Sequence, residues 1–263
     1  NMLLVAAIAV AGMAVAFPIG IGLALIIGVV LSYIIKPAGN PSLLFGGSGL
    51  VFLAIIMCAL AHSLYQRAAA PAPEKPAGGE RGVSRSRERR SSQVKGPVKG
   101  IVLSLVSGVF MGLFFPLVEM SKTGDIGLGP YAAAFFFAVG VFLSTPLFNL
   151  FFMNLPVQGS PVSFKQYFQG TLRQHMLGWA GGAIWCVGAV SSFVAASAPR
   201  EVNVGPAVSY AIGQGATLVS TLWGLLVWKE FAGASGAVRM RIALTLLLFA
   251  LGLGAVSIAP LYK

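Results

Sequence analysis

Long apolar runs, separated by short polar segments, dominate the chain. Crossing a bilayer as a helix takes about 20 apolar residues, and most of the runs reach that length. The pattern predicts a partial helix at 1–13 and complete spans at 15–35, 43–65, 98–120, 130–153, 176–196, 205–228 and 242–261. We therefore predict an all-α polytopic membrane protein with about seven complete helices plus a partial first one.

The span at 205–228 is too polar for a simple anchor that faces lipid. No charge precedes Lys229, but the run contains the amide of Gln214, several hydroxyls, and Gly213 and Gly215. Small residues let helices approach closely, and polar groups at membrane depth need partners or a wet cavity. We expect this helix to line the interior of the protein.

A similar stretch occurs earlier in the chain. Residues 12–36 align without a gap on 205–229, and Phe17 falls opposite Tyr210. The identical pairs include Gly12/Gly205, Ile19/Ile212, Gly20/Gly213 and Gly22/Gly215. Apolar helices also share glycine and alanine by chance, so two explanations stay open, and the common I-G-x-G core favours duplication.

The helix count predicts how the halves are related. Five spans follow residue 97, whereas two and a half precede residue 66, so we expect a chain truncated at its N-terminus. Residues 1–65 would be the remnant of a first five-helix repeat, and 98–263 the second repeat. Because five is odd, the two repeats would have opposite orientations, the inverted five-plus-five arrangement of many secondary transporters.

Composition supports the membrane class and locates the charge. The chain is 57% hydrophobic and 10% charged, whereas soluble domains carry about 25% charged residues. Nine of its basic residues lie between Arg67 and Lys99. The net charge of +11 thus reflects a basic linker at 66–97, which we expect to be disordered and to contact anionic lipid headgroups rather than nucleic acid.

Basic residues in the short loops predict the orientation. With the linker in the cytoplasm, five further basic residues are inside and four are outside. Those inside are Lys165, Arg173, Lys229, Arg239 and Arg241, and those outside are Lys36, Lys122, Arg200 and Lys263. We therefore expect a multi-pass protein of the plasma (inner) membrane with its C-terminus outside.

No enzyme signature, metal-ligand cluster or cofactor motif is found in the sequence, and we expect no catalytic residue, metal or cofactor. The two cysteines, Cys58 and Cys186, are expected to be inert buried thiols. Trp185, Tyr210 and Gln214 are the best candidates for contact with a flat or ring-shaped polar solute, because such sites combine apolar walls with few hydrogen bonds. Phe17 joins them as the residue aligned with Tyr210.

Glu119 has two interpretations. It lies near the end of its span, where it would either couple a proton or bind solute, or form an interfacial ion pair with Lys122, which we favour. Glu230, next to Lys229, is expected to be a helix-end charge with a structural role. Gly20, Gly22, Gly213 and Gly215 are expected to provide close helix packing and hinges.

Two motifs add a family resemblance. WAGGAIWCVGAV followed by GPAVSYAIGQGATLVSTLWGLLVWKEF resembles the closing helices of the drug/metabolite transporter superfamily, and within it the ureide permease and glucose/ribose porter branch. AVAFPIGIGLALIIGVVLSYIIKPAGNPSLLFGG resembles the fourth-helix region of ureide permeases. The resemblance implies a ten-helix, EamA-like inverted-repeat carrier of small solutes, often coupled to protons. Two features depart from it: the opening helices are absent, and the linker lacks the nucleotide-loop-like motif of plant ureide permeases.

These observations predict a secondary active transporter that moves a ureide, nucleobase or sugar by alternating access, with possible proton coupling. An exporter of metabolites or drugs is one alternative, and a non-transporting membrane scaffold is another. The oligomeric state is left open by the sequence.

Overall fold

The computed structural model describes residues 2–69, 80–124, 127–157, 159–199, 202 and 204–262, with only the backbone described for 69 and 80–97. The described residues form ten α-helices and a short final 3₁₀ turn, with no strand among them. In chain order these are α1 Met2–Ala11, α2 Met13–Ile35, α3 Pro41–Ala69, α4 Glu80–Ser121, α5 Pro130–Asn154, α6 Phe164–Phe168, α7 Leu172–Ala196, α8 Pro206–Gly213, α9 Ala216–Leu226, α10 Gly236–Ile258 and the 3₁₀ turn Ala259–Leu261.

Six of these helices are long and apolar enough to cross a membrane. The spanning parts are Met13–Ile35, Pro41–Ala68, Val98–Ser121, Pro130–Asn154, Leu172–Ala196 and Gly236–Leu261. Six of the predicted spans are therefore confirmed, and α1 is the short first helix that precedes Gly12. The chain is an integral membrane protein with an all-helical fold among its described residues.

The predicted span at 205–228 is wrong as a single helix, because it consists of α8 and α9 with a break at Gly213–Gln214–Gly215. Over this turn the backbone N–H of Gln214 bonds to the carbonyl of Ala211, and that of Gly215 to Ile212. These are i→i−3 bonds, and such tight turns within a helix often mark functional hinges. Two glycines, with low helix propensity, flank Gln214 and favour a break there.

The start of α4 also differs from the sequence-based expectation. The helix begins at Glu80, inside the segment 66–97 for which we predicted a disordered linker, whereas residues 70–79 lie outside the described part. Five arginines, one glutamate and one glutamine follow Glu80 before Pro97. Their straight side chains lose little rotamer freedom in a helix, so they tolerate helical backbone without any apolar periodicity.

Helix α2 runs antiparallel to α8 and α9 and lies at the centre of the fold. Near its start, Ala14 lies against Gly224 in α9, and further along, Gly28 lies against Tyr210 in α8. Residues nearer the start of α2 therefore pack against residues nearer the end of α9, and residues nearer the end of α2 pack against α8. Around this crossing the main core joins α2 to α3, α8 and α10, and it includes Val15, Ile19, Leu25, Leu44, Val51, Val208 and Phe249.

Close glycine contacts hold the other helix pairs together. Helix α4 lies alongside α2 in the same direction, because Gly108 lies against Gly20 and Gly112 against Ile27. Helices α3 and α10 cross where Gly47 meets Gly252. Such contacts let backbones approach closely enough for dispersion forces to stabilise helix pairs in lipid.

Helices α5 and α7 lie at the periphery. Ala133 is the one buried residue of α5, and α7 buries Phe193 and Ala196. Cys186, on α7, is exposed and Cys58 is buried, so the expectation of a buried thiol is wrong for Cys186. The reason is that apolar residues face lipid as readily as protein in a membrane, and the sequence does not distinguish the two.

Candidate functional site

An aromatic cluster joins α4, α5, α7 and α8. Its six members are Phe114, Phe115, Phe137, Trp185, Phe193 and Tyr210. Tyr210 packs on Phe115 at 5.0 Å between ring centroids, and Trp185 packs on Phe137 at 6.0 Å. Such ring pairs stabilise a cluster beyond their buried area. The structure thus brings together two of the predicted site residues, Trp185 and Tyr210, through phenylalanines between them.

The two predicted residues have different exposure within the cluster. Tyr210 is 2% exposed, and its hydroxyl donates to the carbonyl of Met111 at 3.1 Å. Its ring covers Gly28, where no larger side chain fits. Trp185 is 52% exposed. In this conformation about half of the Trp185 side chain is accessible, whereas Tyr210 is held in the packing.

A small cleft lies beside the cluster, between α4 and α5. It measures about 260 Å³ and is lined mainly by apolar side chains. Phe114 and Phe137 contribute to both the cluster and the cleft, and Ser121 is the polar residue of its lining. Ligand sites are commonly concave, mostly apolar and supplied with a few directed polar groups. The cleft has the aromatic walls of such a site, but it is shallow and open, and the Ser121 hydroxyl bonds to the Val118 carbonyl of its own helix.

Glu119 lies next to this cleft and forms an ion pair with Lys122. The Glu119 and Lys122 side chains are 6% and 8% exposed. The Lys122 ammonium also donates to the Ser197 hydroxyl at 2.9 Å and to the Phe193 carbonyl at 3.3 Å. The ion pair that we predicted between Glu119 and Lys122 is present, whereas a role of Glu119 in proton coupling or solute binding stays a prediction. Its partner tethers the end of α4 to the end of α7, beside the aromatic cluster.

Gln214 occupies the break between α8 and α9, and its amide donates to the Tyr210 carbonyl at 3.3 Å. It is half-buried, Gly213 is exposed and Gly215 is half-buried. A helix break leaves backbone groups outside the regular ladder, and these can bind solute where they line a cavity. The structure thus places Gln214 and the two glycines together at one discontinuity.

The remaining predicted residues lie on α2. Phe17 is half-buried, and none of the ring contacts within the described part of the chain involves it. Gly20 and Gly22 are buried, and a Cβ on either would come within about 3.0 Å of Ser104 or Ile55. Phe17 therefore stands apart from the aromatic cluster, whereas Gly20 and Gly22 lie in close helix contacts.

Sequence reasoning missed the four phenylalanines of the cluster. Phe114 and Phe115 come from an FF pair in α4, and Phe137 from an FFF run in α5. Runs of phenylalanine are common on lipid-facing surfaces, and the sequence offers no signal that singles out these rings. Among the described residues, no group of three histidine, cysteine or acidic side chains is placed to hold a metal ion.

Comparison with known proteins identifies one family. A family model described as ureide permease matches residues 72–259, more than half of the chain. The match spans α4 to α10 and so includes the aromatic cluster and the helix break. Neither the comparison with curated proteins nor that with solved structures found a match.

Proposed function

The chain belongs to the ureide permease family, and on that premise we propose that it is a secondary active transporter of a small polar solute. The family suggests a transporter rather than an enzyme. Six apolar helices long enough to span a bilayer fit that role. The proposed mechanism is alternating access, in which two repeats rock around a central site.

The observation that carries the proposal is the broken helix α8–α9 packed against α2. Transporter sites typically lie near the bilayer midplane, at discontinuous helices between repeats. The break at Gly213–Gln214–Gly215 falls between the two ends of a stretch that is as long as a membrane span. It also places a half-buried amide, Gln214, in that region. Gly213 and Gly215 would act as the hinge of this helix.

An inverted relation between the repeats is supported by backbone geometry. Gly12 precedes α2 with φ 85° and ψ 163°, and its aligned counterpart Gly205 precedes α8 with φ 79° and ψ 155°. Left-handed φ values of this kind favour glycine. The aligned helices run antiparallel, as an inverted repeat requires. We propose that 1–65 and 98–263 belong to two such repeats, as in the drug/metabolite transporter superfamily.

The chemistry of the site favours a neutral, flat or ring-shaped solute, such as a ureide, a nucleobase or a sugar. Trp185 and Phe137 offer aromatic faces, and Gln214 offers an amide that can both donate and accept. The Glu119 carboxylate is already neutralised by Lys122. A cationic drug would need an unpaired acid at mid-depth, and the cluster as described supplies none, so export of cationic drugs is the weaker candidate.

The proposed orientation places the basic linker in the cytoplasm and the C-terminus outside, following the loop charges. The membrane-spanning parts of α2 and α4 begin on the same side of the membrane, because the two helices run in the same direction. The Lys229 and Glu230 end of α9 would then face the cytoplasm together with the start of α2.

A Gln214→Ala variant tests the proposal against a matched control. Ser220→Ala removes another polar group from the same broken helix, but the Ser220 hydroxyl bonds to the Ala216 carbonyl of its own helix. We expect Gln214→Ala to lower solute uptake into proteoliposomes at least tenfold, roughly the effect of one lost hydrogen bond to solute, with Ser220→Ala near wild type.

Both variants are first checked for insertion and monodispersity in detergent. Equal uptake by Gln214→Ala and Ser220→Ala would show that Gln214 does not contact the solute. If only Gln214→Ala failed to give folded protein, the role of the Gln214 amide would be in packing and not in solute binding.

A further inference from the structure

Glu230 does not end a helix in solvent; it reaches across the fold to the start of α2. Its carboxylate oxygens accept hydrogen bonds from the backbone N–H of Met13 at 2.8 Å and of Ala14 at 2.7 Å. These N–H groups belong to the first turn of α2, where a helix leaves its donors without intrahelical partners. The contact therefore joins two segments more than 200 residues apart in sequence.

The backbone around Glu230 is shaped for this contact. Lys229 has φ 53°, an uncommon value for a residue other than glycine. The backbone N–H of Glu230 bonds back to the carbonyl of Gly224 at 3.1 Å. The chain thus folds back over the end of α9 and directs the carboxylate toward α2.

Two glycines leave room for the carboxylate. A Cβ on Gly12 would lie 2.7 Å from Glu230 Oε2, and one on Gly224 would lie 3.0 Å from the same atom. Gly12 is the N-cap of α2, and Gly224 lies in α9. Together with Met13 and Ala14 they form a fitted slot rather than a chance surface contact.

The bonding is strong for an interaction between helices. An ionised carboxylate that accepts two backbone N–H bonds forms charge-assisted hydrogen bonds, which are stronger than neutral ones. It also meets the positive end of the α2 dipole. In the low-dielectric interior of a membrane protein, both the hydrogen bonds and the dipole interaction are stronger than they would be in water.

We propose that Glu230 is a latch that closes one end of the α2–α9 crossing during transport. The proposal rests on the proposed function, because α2 and α9 belong to the two repeats that must rock against each other. The opposite end of the crossing borders a cleft of about 360 Å³ lined in part by Tyr33, Ala38 and Val204. In this structure the carboxylate contact closes the Glu230 end, whereas at the opposite end, where α8 begins, Gly205 packs closely on Ala38 beside this cleft. Release of the carboxylate from Met13 and Ala14 is the step that opens the latched end.

A native thiol reports on the latch. Cys58 is 4% exposed, and its Sγ donates to the carbonyl of Ala14 at 3.7 Å, the residue whose N–H is held by Glu230. The only other cysteine, Cys186, is exposed and is replaced by serine. In the Cys186→Ser background, the rate of N-ethylmaleimide labelling at Cys58 measures how often the latched end opens.

Two variants disrupt the latch by different chemistry. Glu230→Gln removes the charge, and Gly224→Ala places a methyl group 2.9 Å from the Ala14 nitrogen and 3.0 Å from the carboxylate. We expect each to raise the Cys58 labelling rate about tenfold, as expected when charge-assisted bonds are lost. Ser220→Ala, which removes a hydroxyl bonded to the Ala216 carbonyl of its own helix, should change the rate less than about twofold. Unchanged labelling in both latch variants would overturn the proposal.

If neither latch variant yields folded protein, hydrogen exchange of the unmodified chain tests the latch instead. The amides of Met13 and Ala14 should exchange at least about tenfold more slowly than those in the first turn of α10, whose N-cap Ser235 makes no side-chain capping bond. Equal exchange at the two helix starts would exclude the latch.

Transport by Glu230→Gln separates the latch from the proposed function. For whichever solute is carried, we expect the maximal uptake rate to fall at least about tenfold, because a carrier that cannot hold its latched end closed completes fewer transport cycles. KM should stay within about threefold of wild type, because solute binding is unchanged. A rise in KM with an unchanged maximal rate would overturn the gating role. If the wild type takes up no solute while labelling still responds to Glu230→Gln, the transport function fails and the latch remains.

Discussion

The crossing of α3 and α10 allows a sharp test of the packing. Gly47 and Gly252 face each other there, and a Cβ on either would lie 2.6 Å from the carbonyl oxygen of the other. Ordinary contact begins near 3.4 Å. Because the nearest atom is backbone, Gly47→Ala must push the helices apart by roughly 0.8 Å, and a gap of that size forfeits about a quarter to half of each atom pair's dispersion energy.

The expected magnitude follows from two opposing effects. Overpacking of a close contact costs about 1–3 kcal/mol, and a rigid backbone neighbour places Gly47→Ala near the upper end of that range. Alanine in place of glycine gains about 1 kcal/mol in helix propensity. We expect a net loss of about 2 kcal/mol for Gly47→Ala. Gly49→Ala on the same helix meets no atom within 4 Å and should be stabilising by about 1 kcal/mol.

The assay is reversible unfolding in mixed detergent micelles, monitored by tryptophan fluorescence and far-UV circular dichroism. The two variants should differ by about 3 kcal/mol in free energy of unfolding. Gly47→Ala combined with Gly252→Ala should cost less than the sum of the single changes, because one displacement accommodates both methyl groups. Equal stability of Gly47→Ala and Gly49→Ala would refute the close α3–α10 contact.

Three further changes have defined outcomes. Lys122→Ala leaves the Glu119 carboxylate buried without its partner and should cost about 3–5 kcal/mol in the same unfolding assay, while Lys122→Ala with Glu119→Gln should recover most of that loss. Trp185→Ala should raise KM for uptake about tenfold through loss of a stacking face, with little effect on stability, whereas Trp179→Ala on the same helix, 72% exposed, should leave KM unchanged. Lys229→Gly relieves a left-handed φ and should raise stability by up to about 1 kcal/mol, unlike Lys229→Ala.

The sequence predicted the membrane class, and its hydrophobic runs located six spanning helices to within a few residues, apart from the starts of α4 and α10. This part of the fold depends on local composition, since a long apolar run has few alternatives in a bilayer. The I-G-x-G core drew attention to α2 and to the α8–α9 region. The break at Gln214 was not predicted, because glycines next to an amide are equally compatible with an intact, closely packed helix.

The site was less predictable, for a physical reason. Trp185 and Tyr210 were selected as polar aromatics in an unusual span, yet the rings that connect them come from plain phenylalanine runs. Which of those rings turn inward depends on contacts between α4, α5 and α7. The capping of α2 by Glu230 depends likewise on a contact across more than 200 residues, and a local sequence pattern carries no information about it.

The most direct test of the central claim is solute uptake into proteoliposomes that contain the protein. Allantoin, uracil and a panel of monosaccharides would be compared with and without an inward proton gradient. The account predicts saturable uptake of one of these neutral solutes, lowered at least about tenfold by Gln214→Ala and retained by Ser220→Ala. Folded protein that takes up none of them, in either the presence or the absence of the gradient, would contradict the account.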